Sequence, residues 1–210
     1  MRYTPKEQAI LKAINNYQWF YEQNGKQCWR TIAEFLSMLI AKEKSDVNCL
    51  YIKDSVSNQR KLVVFAKQDE IASSANYVLE LLSFLEIASK ERLIVYLPVE
   101  DSNQNEFIGS QRDNIIGQID GLDFKNGDHL SNDCRWTDKN GKEKYKSVSI
   151  EESNFSFLCC SGFFVVTEKL KKLVKDKFKT AEEKTLCWTR IGVIVAIIAM
   201  ILTMIISCCS

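Results

Sequence analysis

Residues 191–206 read IGVIVAIIAMILTMII, and no charged side chain interrupts them. Extended to 188–207, the run has about 20 residues, which as a helix would measure roughly 30 Å, the thickness of a bilayer's hydrocarbon core. The alternative, a core helix, would normally carry a polar face. The run therefore predicts a C-terminal transmembrane helix over 188–207, with Trp188 and Arg190 at the membrane interface.

The flanks of this run predict its topology. Four residues follow it, and the opening MRYTPKEQAI has no apolar run of signal-peptide length, which is typical of a tail-anchored, single-pass protein. Residues 168–190 carry eight basic and four acidic side chains, and none follows the run. We therefore expect the chain to lie at a membrane, anchored C-terminally, with its bulk facing the cytoplasm. There, its eight cysteines are expected to stay free thiols.

The small residues of the predicted anchor are spaced by four, three, four and four, so in a helix they share one stripe. Such a stripe lets two helix backbones approach closely, and it favours self-association of two copies through their anchors. Chance is the alternative, because small residues are common in such helices. The members of this stripe are Gly192, Ala196, Ala199, Thr203 and Ser207.

A basic segment lies before the anchor, at 167–187. Beside a membrane, such lysines are expected to attract anionic lipid headgroups, so membrane lipid is a predicted partner. Equally, the lysines could only set the topology and stay solvated. The side chains concerned are Lys169, Lys171, Lys172, Lys175, Lys177 and Lys179.

The cytoplasmic part, 1–166, reads as an α+β fold, a helix-rich domain with a small antiparallel sheet. A capping box, Thr4 with Glu7, opens the first helix. Residues 99–111 read as a loop, and Asn140-Gly141 marks a hairpin turn. Apolar periodicity predicts helices over about 5–25, 28–42, 69–91 and 167–179, and strands at 49–52, 61–66, 93–97, 115–119, 133–137, 143–150, 155–159 and 163–166.

One part of this order resembles a known fold. A helix leads into LIVYLP at 93–98, a long insert follows, and the chain returns as FFVVTEKLKKLVK at 163–175. This order loosely resembles a winged-helix module, which implies DNA binding. Charge argues against that role: residues 1–167 carry three more acidic than basic side chains, and helix 69–91 holds five acidic residues and one lysine. Nucleic acid is therefore an unlikely partner.

Residues that could carry chemistry are scattered. His129 is the one histidine, and it follows a turn, Asn126-Gly127-Asp128, where a solvated imidazole is the ordinary outcome. The cysteines form no CxxC pair, so a zinc site is not expected. Glycine-rich phosphate loops are missing from the sequence as well. We therefore expect no enzyme activity, no catalytic residue, no metal and no cofactor.

These observations predict three segments: a cytoplasmic domain at 1–166, a basic juxtamembrane helix and hinge at 167–187, and the anchor at 188–207. The favoured function is a protein-interaction or sensing module beside the membrane. Two alternatives stay open. One is a membrane-perturbing effector or toxin triggered through the soluble domain, and the other is a membrane-tethered winged-helix regulator.

Overall fold

A computed structural model describes residues 3–53, 60–97, 106–117, 121–151 and 162–180, with nine further residues between 183 and 195. The chain divides into two compact units, one of Asn16–Thr167 and one of Met1–Asn15 with Glu168–Ser210. The described helices are α1 (Pro5–Asn16), α2 (Ile32–Glu43), α3 (Ile71–Lys90) and α4 (Glu168–Lys175). The described strands are β1 (Phe20–Gln23), β2 (Lys26–Trp29), β3 (Asn48–Lys53), β4 (Arg60–Ala66), β5 (Ile94–Leu97), β6 (Glu106–Gly109), β7 (Ile115–Gly117), β8 (Gly121–Phe124), β9 (His129–Ser131), β10 (Trp136–Thr137), β11 (Glu143–Glu151) and β12 (Phe163–Val166).

Helix α1 begins as predicted and ends early. The Thr4 hydroxyl accepts from the Glu7 backbone N–H over 3.3 Å, while Glu7 Oε2 accepts from the Thr4 N–H over 2.6 Å, so the capping box is confirmed. The helix stops at Asn16, and the predicted continuation to residue 25 is wrong. The predicted second helix also begins later than expected, at Ile32, where Thr31 caps it by accepting from the Glu34 N–H.

A hairpin of β1 and β2 occupies the place of those helical residues. Its two-residue turn is Asn24-Gly25, and both residues have positive φ, 54° and 71°. A turn of this kind matches the twist of the flanking strands and favours Asn-Gly. The sequence contains this signal, but Tyr17 and Tyr21 at helical spacing suggested a helix instead.

The predicted fold class is wrong. Instead of a small sheet of winged-helix type, the unit Asn16–Thr167 contains an eight-stranded antiparallel sheet that curls into a half-barrel, in the order β6-β3-β4-β11-β10-β9-β8-β7. Strand β11 is long enough to pair with β4 along one half and with β10 beyond it, so it joins two groups of strands. Strands β5 and β12 pair separately as a two-stranded sheet.

Several local predictions are confirmed within this different architecture. Strands β3 and β4 pair antiparallel at the predicted positions, and β10 pairs with β11 around the predicted Asn140-Gly141 turn. The loop predicted over 99–111 is wrong where β6 lies, because β6 pairs with β3 and forms one edge of the sheet. The strand predicted at 155–159 lies outside the described residues.

The core of the sheet is aromatic. Trp136 lies at its centre, fully buried, and its ring stacks on Phe124 at 4.7 Å between centroids. Phe65, Phe107 and Tyr145 surround the indole at 4.9 to 5.7 Å. On strands β3 and β4 the residues of the opposite face are buried as well, which explains the unbroken apolar run LVVFA.

Helix α3 confirms the helix predicted over about 69–91, and its buried face packs on β4, β11 and β5. It is also the one helix among the described residues that is long and apolar enough to cross a membrane, and 44% of the relevant window is buried. That helix is in the middle of the chain, so the predicted fold class is wrong in this respect too: the described apolar helix of spanning length is not C-terminal.

Helix α4 ends at Lys175, earlier than the predicted 179. The backbone turns left-handed at Lys177 and Phe178, with φ of 53° and 58°. The N–H of Phe178 donates to the Leu173 carbonyl over 3.0 Å, which satisfies one of the last carbonyls of the helix. Phe178 is buried and its ring meets Tyr3 edge-on at 6.0 Å. The two segments of the unit formed by Met1–Asn15 and Glu168–Ser210 therefore contact each other.

Candidate functional site

A groove of about 820 Å³ opens on the unit Asn16–Thr167. Three parts of the chain line it: residues 17–30 of the β1–β2 hairpin region, one face of α2, and the segment that follows β6. The lining residues are Tyr17, Tyr21, Glu22, Gln23, Arg30, Glu34, Ser37, Met38, Ala41, Gly109, Ser110, Arg112 and Asp113.

Ser37 fastens two of these parts together. Its hydroxyl donates to the Ala33 carbonyl one helical turn earlier, over 2.7 Å, and accepts from the Gly109 N–H over 2.9 Å. Both bonds are buried, so each contributes more than an exposed bond would. These two bonds hold the end of β6 in a defined position against α2.

Asn48 holds the next turn of the same wall. Its side-chain Oδ1 accepts from the Gln111 N–H over 3.2 Å, and the residue is fully buried. Gly109 passes so close that a Cβ there would lie 2.4 Å from Asn48 Oδ1, and its φ is +137°. Only glycine combines this conformation with this approach. The segment that carries Arg112 is therefore rigidly placed.

Arg112 sits between two carboxylates. Its Nη2 lies 3.7 Å from Glu34 Oε1 and 3.5 Å from Glu106 Oε2, so both ion pairs are loose. Its Nη1 is buried and donates to no acceptor among the described residues. A buried donor left unsatisfied costs about 1–3 kcal/mol. This buried atom is out of reach of a ligand in the groove, whereas about 25% of the Arg112 side chain is exposed.

Glu106 pairs with Arg112 but is not among the residues that line the groove. Burial raises the pKa of the Glu106 carboxyl, the Arg112 guanidinium opposes the rise, and the neighbouring Glu34 carboxylate adds to it. Desolvation therefore outweighs the favourable pairing. A carboxyl whose charge is disfavoured in this way is a common feature of binding and catalytic sites.

The opposite wall is aromatic. The Arg30 guanidinium carbon lies 5.8 Å from the Tyr17 ring centroid and 5.7 Å from that of Tyr21, within cation–π range of both. Edge contacts to Trp19 at 4.6 Å and Phe35 at 5.1 Å fix the Tyr17 ring. Burial raises the pKa of the Tyr17 phenol even though a hydrogen bond with Arg30 lowers it. Tyr17 is therefore a neutral, immobilised ring.

The site residues predicted from sequence lie elsewhere. The six lysines of the basic segment are all exposed, and Lys171 is paired with Glu168 over 2.7 Å. Trp188 is described and is 72% exposed. Arg190, Gly192, Ala196, Ala199, Thr203 and Ser207 lie outside the described residues, so the interface and stripe predictions that depend on them stay predictions.

Other reactive side chains are also apart from the groove. His129 is on β9, and its Nδ1 lies 2.7 Å from Asp123 Oδ1 on the neighbouring strand β8, where both side chains are exposed. Within the described parts of the chain, no three His, Cys, Asp or Glu side chains come together as metal ligands would. Cys28, Cys49 and Cys134 are free thiols.

No protein family, no curated protein and no solved structure matches this chain. The groove was also missed by sequence reasoning. Its residues come from two distant segments, 17–41 and 109–113, and the pairing of β3 with β6 and the Ser37–Gly109 bond bring them together. One signal was present, the Asn24-Gly25 turn that places Tyr21 and Arg30 on one hairpin.

Proposed function

We propose that this protein is a membrane-attached binding module, in which the apolar segment 191–206 attaches the chain to a bilayer and the groove receives a small polar ligand. The observation that carries the proposal is the groove itself. Its volume, about 820 Å³, is that of a small-molecule site, and Arg112 brings to its wall a partly exposed guanidinium whose ion pairs with Glu34 and Glu106 are loose.

Recognition, not catalysis, is the role that the groove chemistry favours. Two charged residues of its lining, Arg112 and Glu34, pair loosely with each other, which suits orientation of a ligand. The thiols of Cys49 and Cys134 have their pKa raised by burial, which makes them poorer nucleophiles. We therefore propose a non-enzymatic sensing role.

Membrane attachment is supported by the composition of 191–206 and by the exposure of its neighbours. Each residue described between 183 and 195 is helical, and its apolar side chains are open to the surroundings. Such a concentration of exposed apolar surface favours contact with lipid or another helix. The side chains are Leu186, Trp188, Ile191, Val193, Ile194 and Val195, with exposures of 45–72%.

The exposed lysines of the basic segment support binding of the chain to anionic lipid. Lys169, Lys172 and Lys175 are exposed on α4, while Leu170 of the same helix is buried. Each lysine near an anionic surface contributes about 1 kcal/mol. Changing these three lysines to Gln should therefore weaken binding of the full chain to vesicles rich in phosphatidylserine. Binding to neutral vesicles should not change.

Alkaline carbonate extraction of membranes tests the attachment. The wild-type chain should stay in the membrane pellet. The double variant Ile197→Arg with Ile198→Arg should move to the soluble fraction, because each arginine opposes insertion by about 2.5–3.5 kcal/mol. Ile116→Arg is the matched control, since Ile116 is already 65% exposed on the edge strand β7. Extraction of the wild type, or retention of the double variant, would refute the attachment.

Ligand binding is tested separately, by thermal unfolding of the full chain in mild detergent against a set of nucleosides, amino acids and sugars. At least one compound should raise the melting temperature of the wild type and of Arg135→Lys, whose side chain is 69% exposed and outside the groove lining. The same compound should fail with Arg112→Lys. If no compound protects, or if both variants respond alike, the groove is not the binding site.

A further inference from the structure

The groove offers a hydrogen-bond donor and an acceptor side by side. Arg112 lines the groove with about 25% of its side chain exposed, and the Glu34 carboxylate lies next to it with 3.7 Å between Nη2 and Oε1. Glu34 is partly exposed and is fixed on α2, one turn from the Ser37 bond that holds the end of β6 against this helix. A ligand that meets both groups at once must present adjacent acceptors and donors in the matching order.

Guanine presents that order along its edge. Its N7 and O6 accept hydrogen bonds, as an arginine fork requires, and its N1–H and exocyclic N2–H₂ follow directly as donors for a carboxylate. Adenine has the opposite arrangement, an amino donor in place of O6 and an acceptor at N1. The Arg112–Glu34 pair therefore discriminates between the two purines by hydrogen-bond polarity.

The aromatic wall suits a planar ring. The exposed Arg30 side chain lies over the Tyr17 and Tyr21 rings, within 6 Å of both centroids, so the wall presents a guanidinium plane backed by two aromatic rings. Bases stack on such surfaces with little regard to sequence. The packing of Tyr17 against Trp19 and Phe35 holds the wall in place before a ligand arrives, which reduces the entropy lost on binding.

The charge of the groove lining restricts which charged groups a ligand can carry. The lining contains two cations, Arg30 and Arg112, against three acidic groups, Glu22, Glu34 and Asp113. A net negative groove repels a polyphosphate tail. The electrostatics therefore favour an uncharged nucleoside or a free base over a nucleoside triphosphate.

We propose that the groove between α2, the β1–β2 hairpin and the segment after β6 binds a guanine nucleoside, with Arg112 and Glu34 reading the edge of the base and Tyr17, Tyr21 and Arg30 forming its stacking wall. This inference rests on the proposed function and specifies its ligand.

Isothermal titration of the full chain in detergent micelles tests it, with guanosine, inosine, adenosine and GTP as probes. Guanosine should bind, and adenosine should bind at least about tenfold more weakly, the loss typical of a reversed base contact. Inosine lacks the exocyclic amino group and should fall between them. GTP should bind more weakly than guanosine. Equal affinity for guanosine and adenosine, or tighter binding of GTP, would overturn the inference.

Two variants locate the contact. Glu34→Gln should weaken guanosine about tenfold and reduce the preference over adenosine, because the amide replaces an acceptor-only group with a mixed one. Arg112→Lys should do the same by removing the fork. Arg135→Lys should bind as the wild type does. Guanosine binding that is unchanged in both Glu34→Gln and Arg112→Lys would place the ligand elsewhere and refute the proposal.

The outcome separates the two proposals. If other compounds protect the wild type and lose their effect in Arg112→Lys while guanosine does not bind, the ligand assignment is wrong and the binding function stands. If no compound protects the chain at all, both are wrong. Membrane attachment is decided by carbonate extraction alone and is independent of either result.

Discussion

The indole N–H of Trp136 donates a hydrogen bond to Asp128 Oδ2 over 3.2 Å, and both side chains are buried. The same carboxylate pairs with the Lys144 ammonium and accepts from the Asn126 amide over 3.1 Å. Although partial burial lowers the pKa of Lys144, the hydrogen bond to Asp128 raises it overall. Asp128 therefore connects the central aromatic residue of the half-barrel to the turn between β8 and β9.

Asp128→Ala should destabilise the chain by about 3 kcal/mol, because it leaves the buried indole N–H without an acceptor and Lys144 without its counter-charge. Thermal unfolding of the full chain in detergent, followed by tryptophan fluorescence, measures the loss. Glu143→Ala is the control: it removes a carboxylate from an exposed pair with Lys146 and should change stability by less than about 0.5 kcal/mol. Similar losses in both variants would contradict this assignment.

Gly109→Ala should destabilise the chain by about 3 kcal/mol, since the new methyl group would meet Asn48 Oδ1 at 2.4 Å in a backbone conformation with φ of +137°. Gly141→Ala isolates the conformational part of that cost. Its φ is also positive, +77°, but nothing lies within 4 Å of a Cβ there, so about 1 kcal/mol is expected. Equal losses would show that the approach to Asn48 is unimportant.

The pH dependence of stability should reveal the raised pKa of the Glu106 carboxyl. Burial raises the pKa of its carboxyl above the ordinary value of 4.5, so the folded state holds this proton to a higher pH than the unfolded state does. Glu106 therefore contributes most to stability at acidic pH, and that contribution falls as pH rises through 4.5 and past the raised pKa. The stability of the wild type relative to Glu106→Gln should decrease over this window. A relative stability that increases with pH would contradict the direction of the shift.

Cys49 should resist alkylation in the folded chain. It is fully buried, and burial raises the pKa of its thiol to about 12, so almost no thiolate forms at pH 8. Cys28 is partly exposed and should react with iodoacetamide before Cys49 does. Peptide mapping by mass spectrometry measures both rates, and unfolding in urea should make them converge. Labelling of Cys49 as fast as Cys28 in the native chain would contradict its burial.

Local features of this chain could be predicted because the groups that make them are neighbours in sequence. The Thr4–Glu7 capping box and the Asn140-Gly141 hairpin depend on hydrogen bonds and φ values within a few residues. The hairpin at Asn24-Gly25 had an equally local signal. It was missed because Tyr17 and Tyr21 fit a helical period as well as a strand, and periodicity over so few residues does not separate the two.

The eight-stranded sheet and the groove could not be predicted in the same way. Strand β11 pairs Ile150 with Leu62, and β6 pairs Phe107 with Leu50, so the sheet depends on contacts between residues far apart in the chain. The strand at β6 is four residues long and follows a polar stretch, which gives it little signal of its own. Its register is decided by a partner strand and not by its own sequence.

By itself, the sequence determined the apolar segment 191–206, the basic segment before it, and the acidic balance of the rest, since these depend only on composition and order. Tertiary structure alone decided that Arg112 pairs with Glu34 in a groove that Tyr17 and Tyr21 also line. The reason is physical: hydrophobicity and charge act on each residue where it stands, whereas a binding groove exists only after distant strands have paired and brought their loops together.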